Sequence, residues 1–390
     1  MMQRRRFISA VAGAGAVGLA GCSNQDTGGT DGEEGGEDGS DGGWPPARNT
    51  VDMQVDTNPG GLIDILARIW FNYMDDQDAY TGEDITTTVT NRPGAQGNVM
   101  MNDLYNNAPT DGGQLGSMRV NSAIVNQIGA SEADFDLSEM RAVVRFSADT
   151  RALQFNPETT PVEDHWEMTW EDFQNLAQER TLTFPVSNSA QLVFASYLRA
   201  NDPVLNEDNW EFVRVSGGSE ARAAVQRGDA DGYFGSYVSN ISTRNDSYYT
   251  QFAMVNPEVT PDFFEQIADV LPETSPTASR EDKTLRNNQE GIIVNTSYPD
   301  DAAATVCQIV NDHHMAWLPP GTPDDIYDIH AEAFQVAAES DEVANNVAET
   351  FSAPDHNPLA GEAVQEVASN KFQTLAEDDE VRTLIEQELF

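Results

Sequence analysis

Lysine is almost missing from this 390-residue chain: of 21 basic residues only Lys283 and Lys371 are lysines, against 65 Asp and Glu, for a formal charge of −44. Phosphate contacts need clustered Lys and Arg, so no nucleic-acid partner is expected. Long apolar runs are missing beyond the extreme N-terminus, which excludes a multi-span membrane protein. Cysteine is reduced to Cys22 and Cys307. Histidine is scattered as His165, His313, His314, His330 and His356. The adjacent pair His313 and His314, read as helical, points to different faces and does not share a metal readily. The motifs H-E-x-x-H, G-x-S-x-G and G-x-x-x-x-G-K-[ST] are absent, and carboxylates are too numerous for any pair to mark acid–base catalysis. No enzyme activity, cofactor or metal is expected. What the chain has instead is acid, which keeps a surface hydrated in molar salt while the salt screens its self-repulsion. That composition is read as an extreme halophile's, of archaeal type.

The N-terminus reads Arg4-Arg5-Arg6-Phe7-Ile8, then small and apolar residues from Ala10 to Ala20. A charged n-region, a short h-region and a twin-Arg pair form an export signal. The run Leu19-Ala20-Gly21-Cys22 resembles a lipobox, which makes Cys22 a lipidation site and residues 1–22 a lipoprotein signal. Gly13, Gly15 and Gly18 match G-x-G-x-x-G, but no strand precedes them, so a dinucleotide site is rejected. Residues 23–49 are an acidic, Gly-rich tether with little to bury. With Cys22 lipidated, Cys307 has no intrachain partner; it lies in the apolar, helix-like run Ala302–Ile309 and reads as a core residue. Sequons at Asn240, Asn245 and Asn295 are possible N-glycosylation sites.

From Val51 onward strand, turn and helix alternate. Val51, Met53 and Val55 precede Asn58-Pro59-Gly60-Gly61 and a helix over Leu62–Met74. Ile85–Val89 precedes the turn Asn91–Asn98 and a helix to about Asn107, and a third strand falls near Leu115–Met118. Thr181–Val186 precedes Ser187-Asn188-Ser189, a helix cap, and Leu192–Leu198. Phe212–Val215 precedes Ser216-Gly217-Gly218-Ser219, a helix to Arg227, and a short strand at Tyr233. This rhythm predicts an α/β fold with mainly parallel sheets. In such sheets ligands bind beyond the carboxyl ends of the strands, where helix starts offer N–H groups and partial positive charge, an anion site that needs no lysine. The same Gly, Ser and Asn also serve as ordinary turn and cap residues.

At these turns the chain resembles a known family. Pro59-Gly60-Gly61-x-x-Asp64-Ile65-Leu66-Ala67-Arg68, Asn91-Arg92-Pro93-Gly94-Ala95-x-Gly97-Asn98 and Ala108-Pro109-x-Asp111-Gly112 are similar to the hallmark of the extracytoplasmic solute receptors of the tripartite tricarboxylate transporter, the Bug-type receptors. Leu271-Pro272-Glu273-x-x-Pro276-Thr277 and Pro320-Gly321-Thr322-Pro323 add to the resemblance, which spans roughly residues 51–390. It implies a two-lobed type II periplasmic-binding-protein-like fold with a ligand cleft between the lobes. Lobe 1 is expected over 50–148 plus 253–390 and lobe 2 over 149–252, with paired crossings near 146–152 and 248–256. It implies a small carboxylate ligand held by backbone amides and hydroxyls, membrane permease subunits as partners, and an outer-face location through the lipid anchor; the body is expected to be a monomer. Carried over residue by residue, the ligand-binding set is Gly60, Gly61, Asp64, Ala95, Gly97, Met118, Arg119, Ser189, Gly218 and Ser219, with Ser187 and Asn188 at the same cap. Asp64 also suits the first turn of a helix for purely structural reasons. Leu62-Ile63 stand where the family has small or hydroxyl residues, which implies a drier pocket. Arg119 replaces a small residue and is either a cation for a second carboxylate or a salt-bridged surface arginine, and Gly235 follows Phe234 where Asp is frequent. Two other roles remain open: a sensor that presents its ligand to a signalling partner, and an exported hydrolase.

Overall fold

The computed structural model describes residues 44–46, 49–80, 84–149, 151–155, 170–215, 217–236, 249–254, 312–351 and 357–389. Cys22, Cys307, and the sequons at Asn240, Asn245 and Asn295 lie outside the described residues.

The first strand, β1 (Thr50–Val55), buries Val51, Met53 and Val55 completely. Gly60 takes φ +82°, and α1 (Leu62–Asp76) follows with Leu66, Ala67, Trp70, Phe71 and Met74 on its buried face. Then come β2 (Thr86–Asn91), α2 (Asn98–Asn107), β3 (Gln114–Arg119) and α3 (Val120–Gly129). β1 lies between β2 and β3 and is parallel to both. The chain thus crosses from one side of β1 to the other, and the crevice at such a reversal is where open α/β sheets bind ligands.

After β4 (Arg141–Asp149) the chain enters other sheets. β5 (Arg151–Phe155) is the middle strand of an antiparallel trio with β8 (Gly232–Ser236) and β9 (Tyr249–Met254). α4 (Trp170–Glu179) leads to β6 (Leu182–Val186), α5 (Ser189–Asn201), β7 (Trp210–Arg214) and α6 (Gly218–Gln226), with β6 and β7 parallel. β10 (Asp312–Leu318) returns to the first sheet, followed by α7 (Asp324–Ala338), α8 (Asp341–Phe351), β11 (Leu359–Ala360), α9 (Glu362–Glu377) and α10 (Asp379–Leu389). The first sheet has six strands in the order β2-β1-β3-β10-β4-β11.

That sheet is covered on both faces. Ala316 and Leu318 of β10 join β1, α1, α7 and α8 in one apolar cluster, whereas Met315 and Trp317 join α2, α3, α9 and α10 in the other. The division follows from strand alternation. The second cluster runs on through α5 into Phe173, Phe184, Trp210 and Phe234, with Phe184–Trp210 ring centroids 5.5 Å apart at 90°. Each such fully buried large side chain contributes about 1.5–3 kcal/mol. α10 packs on both α3 and α5, and Glu388 and Glu380 accept hydrogen bonds from Ser196 and Asn201 of α5 at 2.7 and 2.8 Å.

Three expectations need correction. Among the described strands three pairs are parallel and five antiparallel, so the sheets are mixed. β1, β2 and β3, and β6 and β7, pair parallel as expected; β8, which follows α6, pairs antiparallel with β5, as do β4, β5, β9, β10 and β11 with their partners. His313 and His314 are in strand β10, not in a helix, and face opposite sides of the sheet. His313 Nδ1 lies 3.2 Å from Arg145 and His314 Nδ1 2.8 Å from Ser147 Oγ. Trp44, inside the expected tether, already packs on the body, 5.4 Å from Tyr80 and 5.6 Å from His330 by ring centroid.

Candidate functional site

The carboxyl ends of β1, β2, β3 and β6 each run into a helix start, and side-chain hydrogen bonds tie these turns together. In the β1–α1 turn, Asp64 is buried to 3% exposure and occupied on both oxygens. Oδ2 accepts the Gly60 amide at 2.8 Å; Oδ1 accepts Arg68 Nε at 3.0 Å and Asn91 Nδ2 at 2.9 Å. Asn91 Nδ2 also reaches Thr57 O at 3.0 Å, so the last residue of β2 is stitched to the end of β1. Burial raises the Asp64 pKa, but the bonds from Arg68, Gly60 and Asn91 outweigh it and hold the carboxyl below its usual value. Asp64 therefore orders the turn from within. Ile63 is spent on the core of the first sheet, so of the Leu62-Ile63 pair only Leu62 retains partial exposure.

The β2–α2 turn is unusual in its backbone. Gly94, Ala95, Gln96 and Gly97 all have positive φ, at +143°, +43°, +56° and +97°. For Ala95 and Gln96 that region costs roughly 1–2 kcal/mol each, and strain of this kind persists where the surrounding structure enforces it. Gly97 is required twice over: by its φ, and because a Cβ would lie 2.7 Å from Met118 Cε at the end of β3. From Gly97 to Asn98 the backbone changes from left- to right-handed, the alternation that turns successive N–H groups to one side and suits an anion.

The β6–α5 turn is held by a capping box displaced by one residue. Asn188 Oδ1 accepts the Gln191 amide at 2.9 Å, and Gln191 Oε1 accepts both the amide and Oγ of Ser187 at 2.7 and 2.9 Å. Gln191 Nε2 then donates to Phe234 O at 2.7 Å. So fixed, Ser189 Oγ shares its single proton between two acceptors, Gln96 Oε1 and Asn126 Oδ1. Asn126 Nδ2 donates to the Gln96 main-chain oxygen at 2.9 Å. One hydrogen-bonded cluster thus joins the β2–α2 turn, helix α3 and the start of α5.

Three buried polar atoms beside this cluster have no hydrogen-bond partner among the described residues: Asn98 Oδ1, Ser122 Oγ and Asn188 Nδ2. Their residues are 3%, 1% and 8% exposed. Asn98 follows Gly97, Asn188 precedes Ser189, and Ser122 lies one turn before Asn126 on the same face of α3. A buried polar group left in this state costs about 1–3 kcal/mol.

Of the residues singled out in the sequence, Gly97, Met118, Ser187, Asn188 and Ser189 are in or against this cluster, and Ala95 adjoins it. Gly60 is exposed and Gly61 half-buried, where a Cβ would overlap Thr57 Oγ1. Arg119 is half-buried at the end of β3, opposite His314 of β10. Gly218 and Ser219 are both exposed, a Cβ at Gly218 would meet open space, and α6 packs on β6 and β8. Gln96, Asn126, Ser122 and Gln191 escaped the sequence reading. Only Gln191 carries a local signal, as the Gln three residues after an Asn cap; Gln96 and Asn126 act across 30 to 93 residues of sequence, and Ser122 is marked only by its burial. Among the described residues there is no group of three or more His, Cys, Asp or Glu placed to hold a metal, and no helix long and apolar enough to cross a membrane.

No protein-family model and no curated protein matches the chain. Solved structures do. A Rhodopseudomonas palustris protein with adipate superposes with a TM-score of 0.61 at 15% identity, covering 88% of this chain and 98% of that one. MatC from Rhodopseudomonas palustris with bound malate gives 0.56 at 16% identity over 86% and 98%. A TctC solute binding protein from Polaromonas gives 0.55 at 13% identity over 87% and 98%. At such identities the likeness speaks for architecture: the chain has the mixed α/β fold of the two-lobed periplasmic solute-binding proteins.

Proposed function

We propose that this protein is an extracytoplasmic receptor of the tripartite tricarboxylate transporter type, capturing a small carboxylate and delivering it to a membrane permease. The observation that carries the reading is the convergence of the starts of α2 and α5 with Asn126, in the second half of α3, around Gly97 and Ser189, with three buried polar atoms beside them that no group among the described residues satisfies. Helix starts and Asn or Ser side chains supply N–H and O–H donors without lysine, which suits an anion in a chain that has only two lysines. The fold supports the same reading, since two neighbours carry malate and adipate.

In this proposal 50–148 plus 253–390 form one lobe and 149–252 the other. The structure is compatible with that division: β4 ends at Asp149 in the first sheet and β5 begins at Arg151 in the second. Gly60, Gly61, Ala95, Gly97, Met118, Arg119, Ser187, Asn188, Ser189, Gly218 and Ser219 line the cleft, with Asp64 ordering it. The twin-Arg signal and a lipid on Cys22 hold the body at the outer membrane face, and the acid-rich surface adapts it to molar salt.

The test is a thermal-shift screen in molar salt over mono-, di- and tricarboxylates, amino acids and neutral sugars or nucleosides. A ligand at a hundredfold excess over Kd stabilises by about 2.7 kcal/mol, a rise of a few degrees in Tm. Carboxylates should produce that rise, and Ser189→Ala should weaken binding by about 0.5–1.5 kcal/mol, one hydrogen bond. Stabilisation by neutral ligands alone would replace the carboxylate reading with another solute class.

A further inference from the structure

Gln96 is an odd residue for its position. Its φ of +56° and ψ of +35° are those a glycine adopts without strain, and Ala95 before it is left-handed too. The turn carries this conformation together with one side chain that reaches across to another sheet's helix. Gln96 Oε1 accepts from Ser189 Oγ at the start of α5, and the Gln96 main-chain oxygen accepts from Asn126 Nδ2 of α3 at 2.9 Å. Ser189 and Asn126 are each 1% exposed, whereas Gln96 itself is exposed. A side chain reaching in from the surface therefore competes with Asn126 Oδ1 for the one proton of a buried hydroxyl at a helix start.

We propose that Gln96 is a latch built into the binding site. Its amide oxygen stands in for a ligand carboxylate oxygen at Ser189, holds the β2–α2 turn against the start of α5, and must be displaced when the ligand enters. The chemistry of the two acceptors is the same in kind: each is an sp² oxygen on a carbon that bears a second heteroatom, and each receives an O–H at similar geometry. They differ in charge, and a charged acceptor makes the stronger bond. A carboxylate can therefore displace the amide, while a ligand whose only acceptors are neutral gains no such advantage. Gln96 in this role raises the threshold for binding and favours anions over neutral solutes. The latch itself stands on the ligand-free contacts; only its displacement rests on the carboxylate-receptor reading.

The experiment compares the parent, Gln96→Gly and Gln96→Glu in molar salt. Glycine suits the left-handed backbone, so Gln96→Gly should fold. Hydrogen exchange is first measured without ligand at the amides of 189–192. The latch predicts exchange about threefold to tenfold faster in Gln96→Gly, and parental exchange in Gln96→Glu, which keeps an acceptor for Ser189. Unchanged exchange in Gln96→Gly overturns the latch. Calorimetric titration then uses acetate, malate, adipate and citrate. Gln96→Gly should bind the best of them about twofold to tenfold more tightly, the return of one competing hydrogen bond. Gln96→Glu should bind at least about tenfold more weakly, because a tethered carboxylate occupies the place. Unchanged or weaker binding by Gln96→Gly overturns the displacement and makes Gln96 a direct ligand contact or a bystander. If none of the four binds any of the proteins, the exchange result alone decides the latch, and it is the carboxylate reading that falls.

Discussion

Replacing Asp64 by Asn removes one charge from the turn that joins β1, α1 and β2, and its cost can be worked from the donors that converge there. The carboxylate accepts the Gly60 amide at 2.8 Å, Asn91 Nδ2 at 2.9 Å, and Arg68 through Nε at 3.0 Å and Nη2 at 2.8 Å. The Arg68 side chain is 46% exposed, so in molar salt its contribution is screened and close to that of a surface pair. The Gly60 and Asn91 bonds are sheltered. An amide keeps only one of the two acceptors, so one bond becomes neutral, a loss of about 1 kcal/mol, and the other is replaced by an NH2 facing a donor, a loss of about 1–3 kcal/mol; Asp64→Asn should therefore destabilise by about 2–4 kcal/mol. The assay is chemical denaturation in molar salt, read as a lower midpoint at unchanged slope. The pH dependence gives a second check. The bonds to the carboxylate hold the folded pKa below the ordinary value for an aspartate, so the native state holds fewer protons than the unfolded one in that range. The carboxylate's stabilisation is present above the unfolded pKa and lost as pH falls through the folded one. The gap between parent and variant should therefore close on acidification. Parental stability in Asp64→Asn, with a changed ligand affinity, would refute the reasoning and return Asp64 to the ligand-contact role.

Gly97→Ala should destabilise by about 1–3 kcal/mol, mainly from φ +97°, since the Met118 Cε that a Cβ would meet at 2.7 Å is the end of a flexible side chain; Gly218→Val should melt like the parent while losing carboxylate-induced thermal shifts, because only open space surrounds that position. His330, fully buried between Tyr80 and Gly112 at 2.9 Å each, has its pKa pushed down to about 4 from 6.5, mainly by burial. The unfolded chain takes up that proton first, so stability should fall by about 3 kcal/mol as pH drops from about 6.5 to 4, and His330→Gln should flatten that part of a denaturation-versus-pH curve. Cys22→Ser should move the protein from the membrane fraction to the medium on cell fractionation. Dilution into low salt should loosen or unfold the body by circular dichroism, since −44 is then unscreened.

The β-turn-α units were legible in the chain because their signals are local. Apolar alternation marked β1, helical spacing marked α1, and Gly or Asn at each junction marked the turns, so strand and helix bounds over 50–119 and 182–236 fall within a few residues of the expected ones, whereas helix α3 was not expected. The net charge and the lysine scarcity, and with them the exclusion of nucleic acid, needed no structure at all. The antiparallel strands were not legible. β4 and β10 lie side by side although their residues are more than 160 apart, and no turn between them announces the pairing. The same holds at the site. The motif around Gly94 and Gly97 was visible, but Gln96 passed as a variable position. Its importance comes from Ser189, 93 residues away, and from Asn126, 30 residues away. Asp64 changed its standing for a similar reason: sequence placed it at a helix start, where ligand or dipole could claim it, and only the folded chain brought Asn91 and Arg68 to its second oxygen. Local propensity and periodicity reach along a chain for one turn or one strand; which polar side chains share a buried proton is settled by packing, where the alternative is an unpaired group out of reach of water.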